Sequence, residues 1–243
     1  MQSLSKNKIK WIRSLQLKKN RDELGLFIVE GEKMVQEAIE NFSQQIDFLV
    51  VTKFSSIKTD DVSFEVAIAT DEELKSISTL KNPNKSLVVL KLPAKRRIET
   101  SFRIALDGIQ DPGNLGTILR LADWFDVKEI ICSKETVDVY NPKVVQASMG
   151  AIFRIKVTYC DLEDYLKKSK ETIFGALLEG QNIYKKSVEP KGILVLGNEG
   201  NGISEKIIPL ITEPITIPRF GQAESLNVSV ATGILLSEFF RGN

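Results

Sequence analysis

The sequence predicts an α/β protein built from two domains, and three observations support this prediction. Short apolar runs alternate with amphipathic helical patterns along the whole chain. Several runs in the second half are apolar throughout, which is typical of a mostly parallel sheet with helices on both faces. The stretch PAKRRIET at 93–100 is charged, and only two of the 15 glycines precede it. We therefore expect a smaller N-terminal domain at 1–96 and a second domain at 97–243.

Each predicted element rests on its own pattern. In the first domain we expect, in chain order, a basic helix at 6–19, a strand at 27–31, a helix at 32–41, strands at 47–52 and 64–69, a helix from about residue 71, and a strand at 86–92. In the second domain we expect strands at 103–109, 129–133, 156–160, 172–178, 192–198 and 214–218, with helices at 115–126, 142–152, 161–169, 203–211 and 225–241.

Composition excludes several kinds of chemistry. The chain has no histidine, which rules out a histidine-containing triad, an imidazole acid or base, and a histidine metal ligand. Cys132 and Cys160 lie far apart without a partner motif, so we expect two reduced, buried thiols and no metal site. No apolar run approaches the roughly 18 residues of a membrane span. The N-terminus has no signal-peptide pattern, so we expect a cytoplasmic protein that does not enter a membrane.

Positive charge is concentrated at two places, although the formal net charge is only +1. One is the cluster Lys95-Arg96-Arg97. The other is the N-terminal run at 1–21, which has no acidic residue and contains Lys6, Lys8, Lys10, Arg13, Lys18, Lys19 and Arg21. Two interpretations stay open: a solvated basic helix and a linker, or a surface that contacts RNA phosphates and binds in a salt-sensitive way.

Three segments that follow predicted strands have residues suited to ligand contact. In the first, at 106–127, a turn leads into a helix that begins around Asn114 and Gly116. Arg120 lies about one turn further on, from where it can reach an anion or a ribose. A helix cap and a surface arginine explain the same residues without a ligand.

The second segment, ILVLGNEGNGIS at 193–204, is neither a dinucleotide fingerprint nor a P-loop. It either lets a ligand approach the backbone beside Glu199 or forms a simple tight turn. The third segment, at 215–243, has an irregular loop and then a terminal helix predicted to begin near Glu224 or Ser225. Ser225 and Asn227 would lie in its first turn, as caps or as ligand contacts.

In combination, the three segments resemble the motifs of the SpoU/TrmH family of RNA ribose 2′-O-methyltransferases, within the SPOUT superfamily. Motif one resembles N-x-G-x-x-x-R at Asn114, Gly116 and Arg120, and motif two resembles G-x-E-G at Gly197, Glu199 and Gly200. Motif three resembles I-P-x-x-G…S-L-N-V-S at Ile217, Pro218, Gly221, Ser225, Leu226, Asn227, Val228 and Ser229. The resemblance covers about 100–243. The stretch 15–38 is similar, more loosely, to the substrate-binding extension of many members.

The resemblance implies a fold, a cofactor and partners. It implies a deep trefoil knot in the second domain, a homodimer formed through that domain, and an RNA substrate, ribosomal rather than transfer RNA. It also implies S-adenosyl-L-methionine as the cofactor and no metal. By positional carry-over the cofactor would be held by Leu196, Gly197, Asn198, Glu199, Gly200, Ile217, Pro218, Ser225, Leu226 and Asn227.

The resemblance also implies catalytic roles. A ribose hydroxyl is a weak nucleophile and needs a proton acceptor, and family precedent gives that role to Arg120. Free arginine is a very weak base. Either the site strongly lowers the pKa of Arg120, or Arg120 orients a phosphate and the ribose while another group takes the proton. Asn114, Ser225 and Asn227 would hold the ribose and orient Arg120 through hydrogen bonds, and Glu199 would fix loop geometry or a partner residue.

Two other functions compete with ribose methylation. One is a non-catalytic RNA-binding protein that keeps the knot as a scaffold. The intact set at Asn114, Arg120, Glu199, Ser225 and Asn227 argues against it. The other is methylation of a base nitrogen, as in some knotted relatives, against which Arg120 and the S-L-N motif argue.

Overall fold

The computed structural model describes residues 2–59, 62–94 and 97–242, and its contacts divide the chain into two compact units. The first unit is Met1–Arg96 together with Tyr140–Phe153, and the second is Arg97–Val139 together with Arg154–Asn243. The segment 140–153, which the sequence assigns to the second domain, thus groups with the first unit in space. Of the predicted basic cluster at 95–97, Lys95 and Arg96 lie outside the described residues.

The elements follow one another in the predicted alternation. The strands are β1 (Gln2–Ser3), β2 (Leu26–Glu30), β3 (Ile46–Thr52), β4 (Glu65–Ala69), β5 (Ser86–Lys91), β6 (Phe102–Asp107), β7 (Glu129–Ser133), β8 (Lys156–Cys160), β9 (Ile173–Asn182), β10 (Gly192–Gly197) and β11 (Glu213–Thr216). The α-helices are α1 (Lys6–Ser14), α2 (Lys18–Leu24), α3 (Glu32–Phe42), α4 (Asp71–Ile77), α5 (Pro112–Trp124), α6 (Pro142–Ser148), α7 (Leu162–Lys168) and α8 (Val228–Phe239).

The first unit is built on a mixed five-stranded sheet in the order β1-β4-β3-β5-β2. Strands β2 and β3 both run antiparallel to β5, whereas β4 is parallel to β3 and to β1. One apolar cluster joins this sheet to α1 and α4, and its largest buried side chains include Ile12, Leu15, Phe48 and Ile77. Burial of such side chains is the main stabilising term for a unit of this size.

The basic N-terminal run forms two helices instead of the single one predicted at 6–19. Arg21 is only 3% exposed, and its guanidinium donates hydrogen bonds to the carbonyls of Leu15 (2.9 Å) and Gln16 (2.8 Å) in the turn between the helices. Lys8 pairs with Glu65 at 3.0 Å. Several of the seven predicted cationic residues therefore stabilise the fold, and the run is not a uniform phosphate-binding surface.

The second unit is built on a six-stranded sheet in the order β11-β9-β10-β6-β7-β8, with every pair parallel. Strands β6, β7 and β10 are buried along almost their whole length, as their apolar sequences predict. From β6 the chain continues to β7 on one side, whereas from β10 it continues to β11 on the other. The adjacent strands β6 and β10 thus form a topological switch point, where open α/β sheets bind ligands.

Two further predicted helices and the predicted burial of one cysteine differ from what the structure shows. No α-helix forms at 203–211, where the chain has only a 3-10 turn at Ile208–Leu210, because Pro209 cannot donate to a helical hydrogen-bond ladder. The last helix begins at Val228 rather than near residue 225. Cys132 is buried as predicted, but Cys160 is only half-buried; both are free thiols.

The predicted α/β fold with a parallel sheet and a smaller N-terminal unit is confirmed, while the trefoil knot stays a prediction. Within the described residues, no helix has the length and apolar character needed to cross a membrane.

Candidate active site

A cleft of about 740 Å³ lies beside the switch point of the parallel sheet, over the carboxyl ends of β9, β10 and β11. The segments that follow β10 and β11 form most of its wall, and β9 and α8 complete it. Most of the lining side chains are apolar, and its polar groups come mainly from the two loops. The lining includes Leu178, Leu196, Gly197, Asn198, Glu199, Gly200, Gly202, Ile203, Ile215, Ile217, Pro218, Phe220, Glu224, Ser225, Leu226 and Leu235.

The loop after β10 is closed tightly on itself. Asn198 and Gly202 exchange two backbone hydrogen bonds of 2.9 Å each, and the Asn198 side-chain oxygen accepts from the backbone of Gly200 at 2.9 Å. A Cβ at Gly197 would lie 2.1 Å from the carbonyl carbon of Gly202, so no other residue fits this position. The sequence left a ligand loop and a tight turn as alternatives, and this segment is a tight turn whose backbone lines the cleft.

A chain of side-chain hydrogen bonds joins all three motif segments. The Asn227 amide donates to the side-chain oxygen of Asn114 at 2.9 Å, and the Asn114 amide donates to Glu199 at 2.9 Å. The Glu199 carboxylate also accepts longer hydrogen bonds from the backbone N–H groups of Gln110 (3.5 Å) and Asp111 (3.4 Å). Because one bond spans 85 residues and the other 113, this network fixes the relative positions of three loops.

Asn227 is the N-cap of α8. Its side-chain oxygen accepts from the backbone of Ser229 at 2.9 Å and of Val230 at 3.4 Å, as a capping asparagine does. Ser225 therefore precedes the helix and does not lie in its first turn, which corrects the predicted start. Ser225 is exposed and lines the cleft.

Arg120 lies on the exposed side of α5, about two turns after the helix start. No hydrogen bond or ion pair holds its guanidinium within residues 2–59, 62–94 and 97–242, and it does not join the asparagine–glutamate network. A charged, unpaired group on a rigid helix is available for a substrate. The pairing of Asp111 with the Asn114 backbone at 2.8 Å caps that helix, so capping in motif one belongs to Asp111.

The predicted cofactor residues, Asn227 excepted, line the cleft. Asn114 and Arg120 do not line it. Sequence reasoning missed the contribution of β9, represented by Leu178 and Glu179, and the buried carboxylate of Asp107, which accepts from the backbone of Ser204 at 2.8 Å. No sequence signal identifies the β9 residues, because only the strand order puts β9 beside β10.

The cleft fits S-adenosyl-L-methionine in size and chemistry. Its volume lies in the range of sites that enclose a drug-sized ligand, roughly 300–1,000 Å³. Apolar walls such as Leu196, Ile217 and Leu226 suit an adenine ring. The carboxylates of Glu199 and Glu224 on the lining suit a cationic ligand.

A parallel α/β sheet with one such cleft at its switch point defines an enzyme that binds a small-molecule cofactor. The model of the SpoU rRNA Methylase family matches residues 101–237. The model of the MRM3-like substrate binding domain matches residues 6–88. The chain belongs to the SpoU rRNA methylase family.

Similar proteins support this assignment over the full chain. The chain is 27% identical to the 23S rRNA (guanosine(2553)-2'-O)-methyltransferase RlmP of Bacillus subtilis, with 97% of each chain covered. A TrmH-family protein structure from Porphyromonas gingivalis matches with a TM-score of 0.87 and 39% identity over 99% of each chain. An AdoMet-bound rRNA methyltransferase from Sinorhizobium meliloti matches with a TM-score of 0.86 and 29% identity, covering 100% of this chain and 97% of the other.

The predicted family and enzyme class, an RNA ribose methyltransferase that uses S-adenosyl-L-methionine, are thereby confirmed. The roles assigned to single residues stay predictions, as does the exact boundary between the domains.

Proposed function

We propose that the chain methylates a ribose 2′-oxygen of ribosomal RNA at the switch-point cleft of its second unit. The observation that carries the proposal is the hydrogen-bond chain from Asn227 through Asn114 to Glu199, which joins the three motif segments at the cleft. A site that had lost its function would have no reason to keep every member of this network satisfied. The Bacillus relative that acts on 23S rRNA supports ribosomal RNA as the substrate.

The cofactor would be held by the two loops that line the cleft. The backbones at Gly197, Ile217 and Leu226 would contact its adenine and ribose, and Leu196, Asn198, Gly200, Pro218 and Ser225 would complete the walls. Bound there, the cofactor supplies a methyl group on a positively charged sulfur. Neutralisation of that charge during transfer is favoured in an apolar cleft.

Glu199 and Asn227 act as positioning residues. Each Glu199 oxygen accepts a hydrogen bond from the loop before α5, which holds that loop against the loop after β10. Asn227 holds the Asn114 amide in one orientation, with the carbonyl oxygen accepting and one N–H group donating to Glu199. The second N–H of Asn114 stays available for the substrate ribose, and the Ser225 hydroxyl lies on the cleft wall.

Arg120 is the proposed catalytic residue. Its unpaired, exposed guanidinium on α5 would bind a substrate phosphate and hold the 2′-hydroxyl in line with the methyl group. The hydroxyl proton then passes to the phosphate that Arg120 holds, because a charged guanidinium has no lone pair to accept it. This route needs the side chain at this position, because no histidine exists in the chain to replace it.

The variant Arg120→Ala tests this assignment. We expect methyl transfer to 23S rRNA to fall by at least about a thousandfold, as for the loss of a group that acts on the transition state, while S-adenosyl-L-methionine binding by calorimetry is unchanged. Arg241→Ala, an exposed arginine paired with Glu238, is the matched control and should keep full activity. Methylation by Arg120→Ala at the wild-type rate would overturn the role.

Mass spectrometry of nuclease-digested product separates the proposal from its alternatives. A methyl group on the ribose supports it, and a methyl group on a base nitrogen contradicts it. Absence of cofactor binding in the wild-type chain would favour a non-catalytic RNA-binding protein.

We further propose that the enzyme is a cytoplasmic homodimer formed through the second unit. Helices α5 and α8 pack together and leave apolar side chains in solvent, including Trp124, which is 84% exposed, and Val230. An apolar surface of this kind is typical of a protein interface. Sedimentation equilibrium of the full chain measures the oligomeric state directly.

A further inference from the structure

We infer that one edge of the first unit's sheet is a docking surface for unpaired nucleotides of the RNA substrate. This inference rests on the proposed RNA methylation. We call the surface the lysine edge and define it by six residues from three loops: Lys33, Lys53, Phe54, Lys58, Lys81 and Lys85. All six are exposed.

The sheet topology brings the three loops together. Strands β2 and β3 end where β5 begins, since both run antiparallel to it: Glu30 pairs with Leu87, and Val51 pairs with Ser86. The start of α3, the loop after β3 and the loop before β5 therefore lie at the same edge of the sheet. Residues far apart in the sequence form one continuous surface there.

Hydrogen bonds hold these loops in place. The Glu32 carboxylate accepts from the backbone of Ser56 at 2.6 Å and from the Ser55 hydroxyl at 3.0 Å, which attaches the loop after β3 to the start of α3. Glu30, buried at the end of β2, accepts from the Thr79 backbone at 2.9 Å and so attaches the loop before β5. The lysines thus project from a fixed backbone, which lowers the entropy cost of binding.

The lysine edge has more positive charge than the carboxylates beside it compensate, although Glu32 interacts with the charge of Lys85. None of its five lysines forms an ion pair with any residue in the described part of the chain. The nearest carboxylates are already used: Glu30 is buried and hydrogen-bonded, and Glu32 accepts from the loop after β3. Asp71 and Glu72, at the end of β4, limit the positive charge to the β2–β5–β3 part of the edge. Such a local cluster of cations attracts phosphates.

Phe54 distinguishes this surface from a merely basic one. Its ring is 71% exposed, and Phe54 directly follows Lys53 in the sequence. An exposed aromatic ring among cations is the arrangement that stacks an unpaired base while the cations hold the adjacent phosphates.

Two buried hydroxyls at the base of the edge also lack partners. Thr52, 4% exposed at the end of β3, and Ser86, 1% exposed at the start of β5, have side-chain oxygens with no hydrogen-bond partner. Because both oxygens are inaccessible from the surface, RNA cannot reach them, and the docking surface consists of the exposed lysines and Phe54 alone.

Helix α1 offers a rival cationic surface in the same unit. Lys6, Lys10 and Arg13 are exposed at helical spacing on one side of the helix. The only aromatic ring of that helix, Trp11, is half-buried and covered by Lys8 at 4.6 Å. This surface fits phosphates but offers no ring for stacking, so the lysine edge is the better match for unpaired nucleotides.

The test measures binding of the full-length protein to 23S rRNA transcribed in vitro, over a series of salt concentrations. Phe54→Ala should weaken binding roughly tenfold, the effect of losing one stacked base. Phe54→Trp keeps an aromatic ring and should bind as tightly as wild type. The double variant Lys53→Ala/Lys85→Ala should reduce the slope of log K against log salt by roughly 1.5, as expected for two lost phosphate contacts. Its matched control is Lys75→Ala/Lys91→Ala, in which Lys91 lies on β5 at the opposite edge.

Each outcome decides the inference. Weaker binding by the edge variants, with wild-type cofactor affinity and unfolding midpoint, supports it. Wild-type RNA affinity and salt slope in both edge variants would overturn it, and so would an equal loss in Lys6→Ala/Lys10→Ala without any loss at the edge. If the wild-type chain binds 23S rRNA through this edge but transfers no methyl group to it, the proposed function fails and the docking surface stands.

Discussion

The two units use corresponding edges of their sheets in opposite ways. In the second unit, the side chains at the carboxyl edge are bonded to each other, as in the chain from Asn227 through Asn114 to Glu199. In the first unit, the side chains at the corresponding edge keep their charges free, and only the backbone beneath them is fixed. Methyl transfer needs reacting atoms aligned to within a fraction of an ångström, whereas capture of an RNA backbone depends on long-range charge. In the second unit the bonded side chains fix the geometry of the loops, and the unpaired cations, Arg120 and the lysine edge, are available to phosphates of the RNA.

The two sheets provide these edges by different topologies. The parallel sheet of the second unit has a switch point between β6 and β10. Beside it, the segments after β10 and β11 leave a cleft over the ends of β9, β10 and β11. In the mixed sheet of the first unit, the antiparallel strand β5 lies between β2 and β3 and closes any such gap. The carboxyl edge of the second unit's sheet is therefore concave, whereas the lysine edge of the first unit is not split by a crevice. A small cofactor suits the former, and a large RNA surface suits the latter.

The sharpest test of the comparison is Gly197→Ala. The added Cβ would lie 2.1 Å from the carbonyl carbon of Gly202, so the loop after β10 must open. We expect S-adenosyl-L-methionine affinity, measured by calorimetry, to fall roughly 100-fold, in line with overpacking against backbone. Gly200→Ala has no contact closer than 3.6 Å and should cause a much smaller loss. Equal losses in the two variants would contradict the role of the tight loop.

The second test removes the central member of the bonded network. Asn114→Ala leaves the amide of Asn227 without its acceptor and removes the shortest hydrogen bond to Glu199, so we expect the free energy of unfolding to drop by about 2 kcal/mol. Urea denaturation measures it. Asn201→Ala, at an exposed position in the loop after β10, is the control and should change stability by less than about 0.5 kcal/mol. If the network did not contribute to stability, Asn114→Ala and Asn201→Ala would lower the free energy of unfolding by the same small amount.

The smallest effect concerns the carboxylate that organises the lysine edge. The backbone N–H of Ser56 lowers the pKa of Glu32 below the ordinary value of a glutamate, the Ser55 and Ser56 hydroxyls and the Lys85 charge act in the same direction, and partial burial opposes them. Because the folded-state pKa lies below the unfolded one, the stabilisation is present above about pH 4.5 and is lost as the pH falls through the folded-state pKa.

The variant Glu32→Gln should therefore be slightly less stable than wild type at pH 7, and the difference should shrink on acidification. Urea unfolding at a series of pH values checks this. A stability difference that does not change with pH would show that the ionised form of Glu32 contributes nothing to the edge.

Part of the site followed from the sequence because its signals are local. Asn227 before an apolar helix is one of the predicted caps, as local geometry requires, whereas the cap at Asp111 comes from the structure. The order of Asn114, Arg120, Glu199 and Asn227 in the three motifs gave the family. The start of α8 was placed too early because the sequence offers several polar residues there, and only the hydrogen bonds of Asn227 choose between them.

The lysine edge did not follow from the sequence. The signal that charge alone offers is the N-terminal run, yet Lys8 and Arg21 of that run stabilise the fold. Lys33, Lys53 and Lys85 are unremarkable in the sequence because they are isolated from one another. They form a surface only because two strands end where a third begins.

The sequence by itself determined the alternation of strands and helices, the absence of histidine chemistry and the three motif segments. These depend on residue type and on spacings shorter than one helix or strand, where local backbone energetics dominate. Only the folded structure sets the strand order, the cleft over the ends of β9, β10 and β11, and the meeting of Asn114 with Glu199 and Asn227. Those features depend on contacts between residues 85 and 113 positions apart. Packing of the whole sheet sets such contacts, and no local pattern encodes them.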